Sequence, residues 1–380
     1  MKLTLTEDQA RIAQTAGAFF AERSSVTRLR RLRDGGDALG YSRSLWKEMA
    51  GLGWTGIPFA ERDGGAGLGL SEAVLVAEAI GRSLAPEPFV ACVMLAGTAL
   101  SLGGSEEHRS GALRALVSGD AVVALAFQEP GPRFDLHRVT ARAEQTAGGY
   151  RLTGTKAHVM GGSGADAFVV AARTAGDATD AGGVTLFFVP AGAAGLEVLR
   201  QHRLDSRSCA IVRMSGVEVP ESAIVGVRDR GAELLGEVVD RACVALCGEM
   251  LGGMTEAFER TVAYMKQRVQ FGAPIGSFQA LKHRAARLLI DIELARSAVW
   301  AAARAVDGDD ERRSTLVSAA KARCSDGYLR VASEAVQLHG GIGMTDEHDI
   351  GLFLKHARVC EMTFGDAAHH RDRFARLCGY

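Results

Sequence analysis

Three features are scarce in this 380-residue chain, and each scarcity excludes a class of protein. The first is charge of one sign. Forty-four basic residues face 45 acidic ones, for a formal net charge of -1, and they are spread along the sequence. No surface basic enough to drive nucleic-acid binding follows from that balance, so the expected partners are small molecules or proteins. The second is paired cysteine. The seven cysteines (Cys92, Cys209, Cys243, Cys247, Cys324, Cys360, Cys378) include no CxxC pair, and an odd, scattered set fits a reducing compartment. Cys243 and Cys247 stand one helical turn apart and read, like the others, as small buried apolar residues rather than metal ligands. The third is a long apolar run. The most apolar stretch, "FVACVMLAGTALSLGG" from Phe89, is too short and too Gly-rich to span a bilayer and predicts a buried helix. The N-terminal "MKLTLTEDQARIAQTAGAFF" lacks the apolar core of a signal peptide. It reads as a helix capped by Thr6 with acidic residues in its first turn, and a cytoplasmic location is expected.

Hydrophobic residues make up 47% of the chain, enough to bury a large core in two or three domains. From Thr6 to about Ser118 apolar residues recur at three and four, as in "SEAVLVAEAIGRSL", broken by turns such as "DGGAGLGL", which either widens a cavity or connects two helices. From about Gly119 the texture changes to short β-prone runs, "AVVALAF", "AFVVAAR", "GVTLFFVP" and "AIVRMSGVEVP", separated by Gly, Pro and Asp. From Gly231 the helical period returns in three long segments joined by short connections, with "DGDDERR" as a solvated turn. The expected fold is mainly α with a central β-domain: an N-terminal helical domain (1–118), a barrel-like middle β-domain (119–228) and a C-terminal four-helix bundle (229–380).

Two segments in the last region carry chemistry. In "RVQFGAPIGSFQ", Arg268 to Gln279, a guanidinium can hold a pyrophosphate through two parallel hydrogen bonds. In "QLHGGIGMTDEHDIGLFLKHARV", Gln337 to Val359, Gly340, Gly341 and Gly343 let backbone N–H groups approach phosphate or ribose oxygens. Taken singly, the Arg also reads as a solvated side chain and the glycines as a helix C-cap.

With both segments present, and with helical, β and helical regions in that order, the chain resembles the acyl-CoA dehydrogenase family over nearly its whole length. The segments match the family's RxxFGxxIxxxQ and QxxGGxGxxxExxxxxxxRDAR patterns. The resemblance implies FAD as cofactor, an acyl-CoA thioester as substrate and an electron-transfer flavoprotein or similar acceptor. It also implies that Arg268, Phe271, Gln279, Gln337 and Gly341 reach the FAD of a neighbouring chain, hence an oligomer, and that Gly340 binds the cofactor.

The flavin site that the family builds within each subunit is altered here. Where the family reads TEPxxGSD this chain has "QEPGPRFD", with Gln128 at the Thr, Arg133 at the Gly and Phe134 at the Ser. Where it reads GxKxWITNGxxAD this chain has "GTKAHVMGGSGAD", with His158 at the Trp and Met160 at a Thr that hydrogen-bonds the flavin. A thioether cannot replace a donating hydroxyl. His158 is expected to be a neutral side chain, packed in the core or stacked on the flavin.

The family's base, a glutamate in YEGT, is also missing. The matching residues are Thr363, Phe364, Gly365 and Asp366, so Phe364 offers only its backbone N–H where a base worth about 10²–10⁴ in rate would stand. Some members carry the base at the position of Ala242. At about 100° per residue, Asp240 points about 160° from that direction, whereas Glu249 returns to within about 20° but about 10 Å further along the axis. Glu249 is therefore the candidate base, with pairing to an Arg or capping of a polar pocket as the alternative. His339, His369 and His370 read as surface or interface residues. Within the family the chain resembles the small subunit of pimeloyl-CoA dehydrogenase and similar heteromeric bacterial enzymes. This implies either a dehydrogenase chain with an atypical or partner-supplied base, in a homo-oligomer or heterotetramer, or a non-catalytic chain that completes a partner's FAD site. A flavin-dependent oxidase or hydroxylase is a third possibility.

Overall fold

The computed structural model describes residues 4–131 and 134–380, so Arg133 lies outside the described residues. The helices run as α1 (Glu7–Arg23), α2 (Val26–Asp34), α3 (Arg43–Gly51), α4 (Leu70–Ser83), α5 (Thr98–Gly103), α6 (Glu106–His108), α7 (Arg114–Val117), α8 (Gly231–Gln267), α9 (Gln279–Asp307), α10 (Arg313–His339), α11 (Ile350–Met362) and α12 (Ala367–Leu377). The chain gathers into two compact units. One, the sheet unit, comprises Leu32–Gly69 and Pro86–Ala242; the other, the helical unit, comprises Met1–Arg31, Leu70–Ala85 and Cys243–Tyr380.

The sheet unit holds β1 (Val123–Ala126), β2 (Arg142–Thr146), β3 (Gly149–Met160), β4 (Ala167–Arg173), β5 (Val184–Pro190), β6 (Leu196–Arg200), β7 (Cys209–Val219) and β8 (Ile224–Val225). They form one sheet in the order β6-β7-β3-β2-β4-β5-β8, with β1 parallel to β4. Strands β1 and β4 are buried at every position, as their apolar runs require, with Arg173 at the end of β4 as the exception in kind. By contrast β3 carries polar residues on an exposed face, and its pairing with β7 shifts register between Lys156 and Val159. The apolar run from Phe89 is helical and buried as expected, opening with a π-helix over Phe89–Gly97. In "DGGAGLGL" a Cβ on Gly65 would lie 2.1 Å from the Phe59 carbonyl oxygen, so close packing of the connection demands glycine there.

Arg173, 1% exposed, organises two loops of this unit. Its guanidinium donates to the carbonyls of His137 (2.6 Å), Gly182 (2.7 Å), Val139 (3.0 Å), Ala178 (3.2 Å), Asp180 (3.2 Å) and Ala175 (3.3 Å). Burial pulls its pKa down from the ordinary arginine value, yet a planar fork of five donors is what six converging carbonyls need. Arg173→Met is expected to lower stability by at least about 3 kcal/mol, because several acceptors lose their only dry partner. A fall in the urea midpoint would measure it, and Arg173→Lys should rescue little.

In the helical unit, Thr6 caps α1 through a reciprocal bond with Gln9, as the sequence predicts. At the far end of α9, Asp307 accepts from the Leu70 N–H (2.6 Å), the Ser71 N–H (3.0 Å) and the Ser71 hydroxyl (2.6 Å), satisfying the orphan donors at the start of α4. Helices α4 and α8 approach through Gly81 and Gly252, where no side chain would fit, and Gly248, where a Cβ would lie 3.0 Å from the Val74 carbonyl oxygen. Six cysteines are buried; Cys378, exposed, departs from the expectation for the whole set. Among the described residues no helix is long and apolar enough to cross a membrane.

Candidate functional site

In the helical unit the two sequence motifs meet at the ends of α8 and α10. Beyond α8, β9 (Val269–Gln270) pairs antiparallel with β10 (Ala273–Pro274). Between them Phe271 (φ 52) and Gly272 (φ 79) both occupy the left-handed region, the signature of a two-residue hairpin turn. Phe271 is 94% exposed, so a strained backbone here holds an aromatic ring in solvent. Arg268 closes the base of the hairpin through its backbone, and its side chain is exposed, as is Gln279 at the start of α9. Gln337 is exposed in the last turn of α10, and Gly340 (φ 66) turns the chain. The Tyr264 hydroxyl donates to the His339 carbonyl (3.3 Å) and its ring stacks on the His339 imidazole (centroids 4.4 Å), joining the two motifs.

The glycines test whether this surface fits a dinucleotide. A Cβ on Gly343 would meet the Val336 carbonyl at 2.6 Å, so that glycine serves internal packing. At Gly340 and Gly341 a Cβ would meet nothing within 4 Å, and Gly341 has no left-handed φ. Nothing inside the chain requires glycine at 341; a group approaching from outside would. Together with Arg268 for a pyrophosphate and Phe271 for a ring, the residues fit.

The sheet unit holds the altered positions. Gln128 follows β1, and its carbonyl accepts from the Ala157 N–H (2.9 Å), beside His158. Glu129 accepts from the N–H groups of Thr140 (2.8 Å) and Ala141 (2.9 Å), from the Thr140 hydroxyl and from the Lys156 ammonium (2.6 Å). Burial lowers Lys156 to about 8 even though Glu129 pushes back. Burial also pushes the Glu129 carboxyl up, but Lys156 and the other donors outweigh it and hold the group below its ordinary value. The Glu and Lys that survive from the family pattern are thus staples of the frame. His158 corrects the core alternative: it is exposed, with φ 54 at the bulge of β3 and its N–H donated to Gln201 Oε1 (3.1 Å). Met160, half-buried, ends β3 opposite Cys209.

Phe364 is buried in a left-handed conformation (φ 62) in the turn between α11 and α12. Its carbonyl lies 3.1 Å from His370 Nε2, while Lys321 Nζ donates to the carbonyls of Gly365 (2.7 Å) and Glu361 (3.0 Å) and to Ser325 Oγ (3.0 Å). Two buried side chains therefore fix this turn, and among the described residues no hydrogen bond uses the Phe364 N–H. Glu249 is 2% exposed. Its Oε1 lies 3.0 Å from His356 Nε2; Cys360 Sγ is 3.2 Å from the same nitrogen, and the Tyr328 hydroxyl is 3.0 Å from His356 Nδ1. Glu249 thus pairs with a histidine within a buried polar group, in place of the arginine that one alternative named.

His339 and His370 are buried, which corrects the surface alternative for those two, and His369 is half-buried; the Ala335 carbonyl lies beside the His339 ring and the Phe364 carbonyl beside the His370 ring. Burial holds His339 and His369 below the ordinary histidine value. Sequence reasoning missed Tyr264, Lys321, Tyr328 and His356. Their signal was polar residues at helical spacing on otherwise apolar faces, Lys321–Ser325–Tyr328 and His356–Cys360.

Comparisons with known proteins cover the whole chain. Residues 6–120, 124–217 and 229–378 match the N-terminal, middle and C-terminal domains of acyl-CoA dehydrogenase. The chain is 31% identical over 343 residues to acyl-CoA dehydrogenase FadE27 of Mycobacterium tuberculosis, covering 88% of each. It superposes with a TM-score of 0.89 at 30% identity on a chain of the ChsE4-ChsE5 complex from Mycobacterium tuberculosis, covering 100% of both. It also superposes with a TM-score of 0.92 at 25% identity on PigA in its FAD complex, covering 100% of this chain and 99% of that one.

Proposed function

Because the chain belongs to the acyl-CoA dehydrogenase family of FAD-dependent oxidoreductases, we propose that it serves in acyl-CoA α,β-desaturation as a chain whose helical unit completes the flavin site of a neighbouring chain and whose proton acceptor does not stand at Phe364. The observation that carries this reading is the asymmetry between the two sets of residues. Arg268, Phe271, Gln279, Gln337, Gly340 and Gly341 form an open, exposed surface that fits a dinucleotide. Gln128, His158 and Met160, the cofactor-binding candidates within the chain, replace the family's Thr, Trp and Thr and weaken that site, and Phe364 cannot accept a proton. When bound, FAD supplies the acceptor for the hydride leaving the acyl β-carbon. This chain's residues would hold its pyrophosphate and ribose, and the Phe364 N–H would donate to the thioester carbonyl.

A second chain of the same fold is the natural neighbour, since one structural relative is a two-component complex, and a heterotetramer fits. An electron-transfer flavoprotein or similar carrier would reoxidise the flavin, in the cytoplasm. In a second reading Glu249, the buried carboxylate on the Ala242 face of α8, is the base, and it would have to exchange His356 for the substrate. The test is flavin content after co-expression with a neighbouring dehydrogenase gene product. Arg268→Ala in this chain is expected to weaken flavin retention about tenfold or more, the loss of a bidentate charge-assisted contact, with the complex still assembled. Undiminished yellow colour in the Arg268→Ala complex would remove the reading.

A further inference from the structure

The contact that joins the two halves of the flavin seat falls outside the residues assigned to it above. Tyr264, in the last turn of α8, precedes Arg268 by four residues, and its carbonyl accepts from the Arg268 N–H (2.8 Å). Its hydroxyl donates to the His339 carbonyl, the oxygen of the peptide that leads into Gly340. Its ring lies at 28° to the His339 ring, and the His348 ring follows 4.5 Å beyond. The Ile350 N–H donates to His348 Nδ1 (3.2 Å), which puts that proton on Nε2 and leaves the ring neutral. His339 Nδ1 lies 2.7 Å from the Ala335 carbonyl and carries its proton there.

We infer that the Tyr264–His339–His348 stack is the positioning element of the seat: it fixes Arg268 relative to the Gly340–Gly341 turn so that one pyrophosphate-bearing dinucleotide meets both, and it loosens when an imidazole is protonated. This rests on the proposed reading of those residues as a flavin seat. The charged groups around the stack are Arg260 on α8, Arg30 on α2, and Asp346 and Asp349 before α11. They are paired as Arg30–Asp349 (2.9 Å), Arg30–Asp346 (3.2 Å) and Arg260–Asp349 (3.3 Å), so none of them is a spare anion for a new cation. Burial, with a smaller contribution from His348, lowers His339; burial also lowers His348, with Arg260 and Arg30 adding to it and Asp349 opposing. Both rings are then neutral at pH 7 and gain charge only as the solution becomes acidic.

The experiment uses the co-purified complex and measures protein-bound flavin by absorbance after filtration and released flavin by fluorescence, over about pH 5 to 8. Tyr264→Ala is expected to weaken flavin about tenfold at neutral pH, the loss of one positioning hydrogen bond and a stacked ring, with circular dichroism and oligomer size unchanged. Tyr264→Phe should lose less. His339→Phe keeps a ring but cannot titrate, so its acid release should shift to lower pH. Parent-like retention in both Tyr264 variants, or an unmoved release profile in His339→Phe, overturns the inference. If Arg268→Ala sheds flavin while the stack variants keep it, only the inference fails; if no folded form holds flavin, the reading beneath it fails too.

Discussion

Gly252→Ala is expected to destabilise the protein by about 3 kcal/mol or more, at or beyond the upper end of overpacking effects. A Cβ on Gly252 would lie 1.9 Å from the Glu78 carbonyl oxygen, 2.8 Å from its carbon and 3.0 Å from the Arg82 nitrogen. The partner helix mirrors this geometry, since a Cβ on Gly81 would lie 1.9 Å from the Glu249 carbonyl oxygen, 2.8 Å from its carbon and 3.0 Å from the Gly253 nitrogen. Each glycine thus rests on the carbonyl three residues before the other. Both clashes are with backbone, which no rotamer change relieves, so α4 and α8 would have to part and the dispersion contacts of both would be lost. Gly236→Ala is the control. It lies on the same helix with nothing within 4 Å of its Cβ, and should be neutral or stabilising by up to about 1 kcal/mol. Chemical denaturation would show the Gly252→Ala midpoint well below the parent and Gly236→Ala at or above it; equal midpoints would mean the helices have room to separate.

How much of this was legible beforehand follows from what each feature depends on. Strands β4 and β5 show in the sequence as continuous apolar runs, and β7 and the three long helices because a buried face repeats its apolar residues at two or at three and four. Strands β2, β3 and β6 do not, since polar residues occupy much of their length and Gly154 interrupts β3. The surface around Arg268 and Gly341 could be read because fixed residues at fixed spacing mark it. The polar interior could not. Glu249 and His356 are 107 positions apart, and Arg173 serves carbonyls up to 36 residues away. Periodicity reports which face is apolar, but says nothing about which buried polar group on one helix answers another. Two of the histidines read as surface or interface residues, His339 and His370, are buried within the chain. A carbonyl a few residues back along the chain answers each of them, Ala335 for His339 and Phe364 for His370.

The other large effect is a gain. Phe364→Glu is expected to raise acyl-CoA-dependent flavin reduction in the complex by about 10²–10⁴ at this chain's own thioester site, the usual contribution of a positioned base. Three features of the turn favour it. The backbone already accepts a side chain at φ 62, so exchanging one L-residue for another adds no new strain. Glutamate is smaller than phenylalanine and needs no new space. The turn is held by Lys321 and His370 through main-chain carbonyls, contacts that the substitution leaves in place. Burial would raise the new carboxyl's pKa towards the range where a general base works, so the rate should climb with pH through that value. Glu249→Gln separates the remaining possibilities. If Glu249 is the base, the parent's turnover falls by a similar factor while stability changes less. If Glu249 only answers His356, turnover holds and stability falls, since a buried pair that loses one partner costs about 3–5 kcal/mol. A Phe364→Glu complex that keeps its flavin and its fold but reduces no faster than the parent would mean that this turn serves no thioester lying beside a bound flavin, and the chain would then be a cofactor-completing subunit alone.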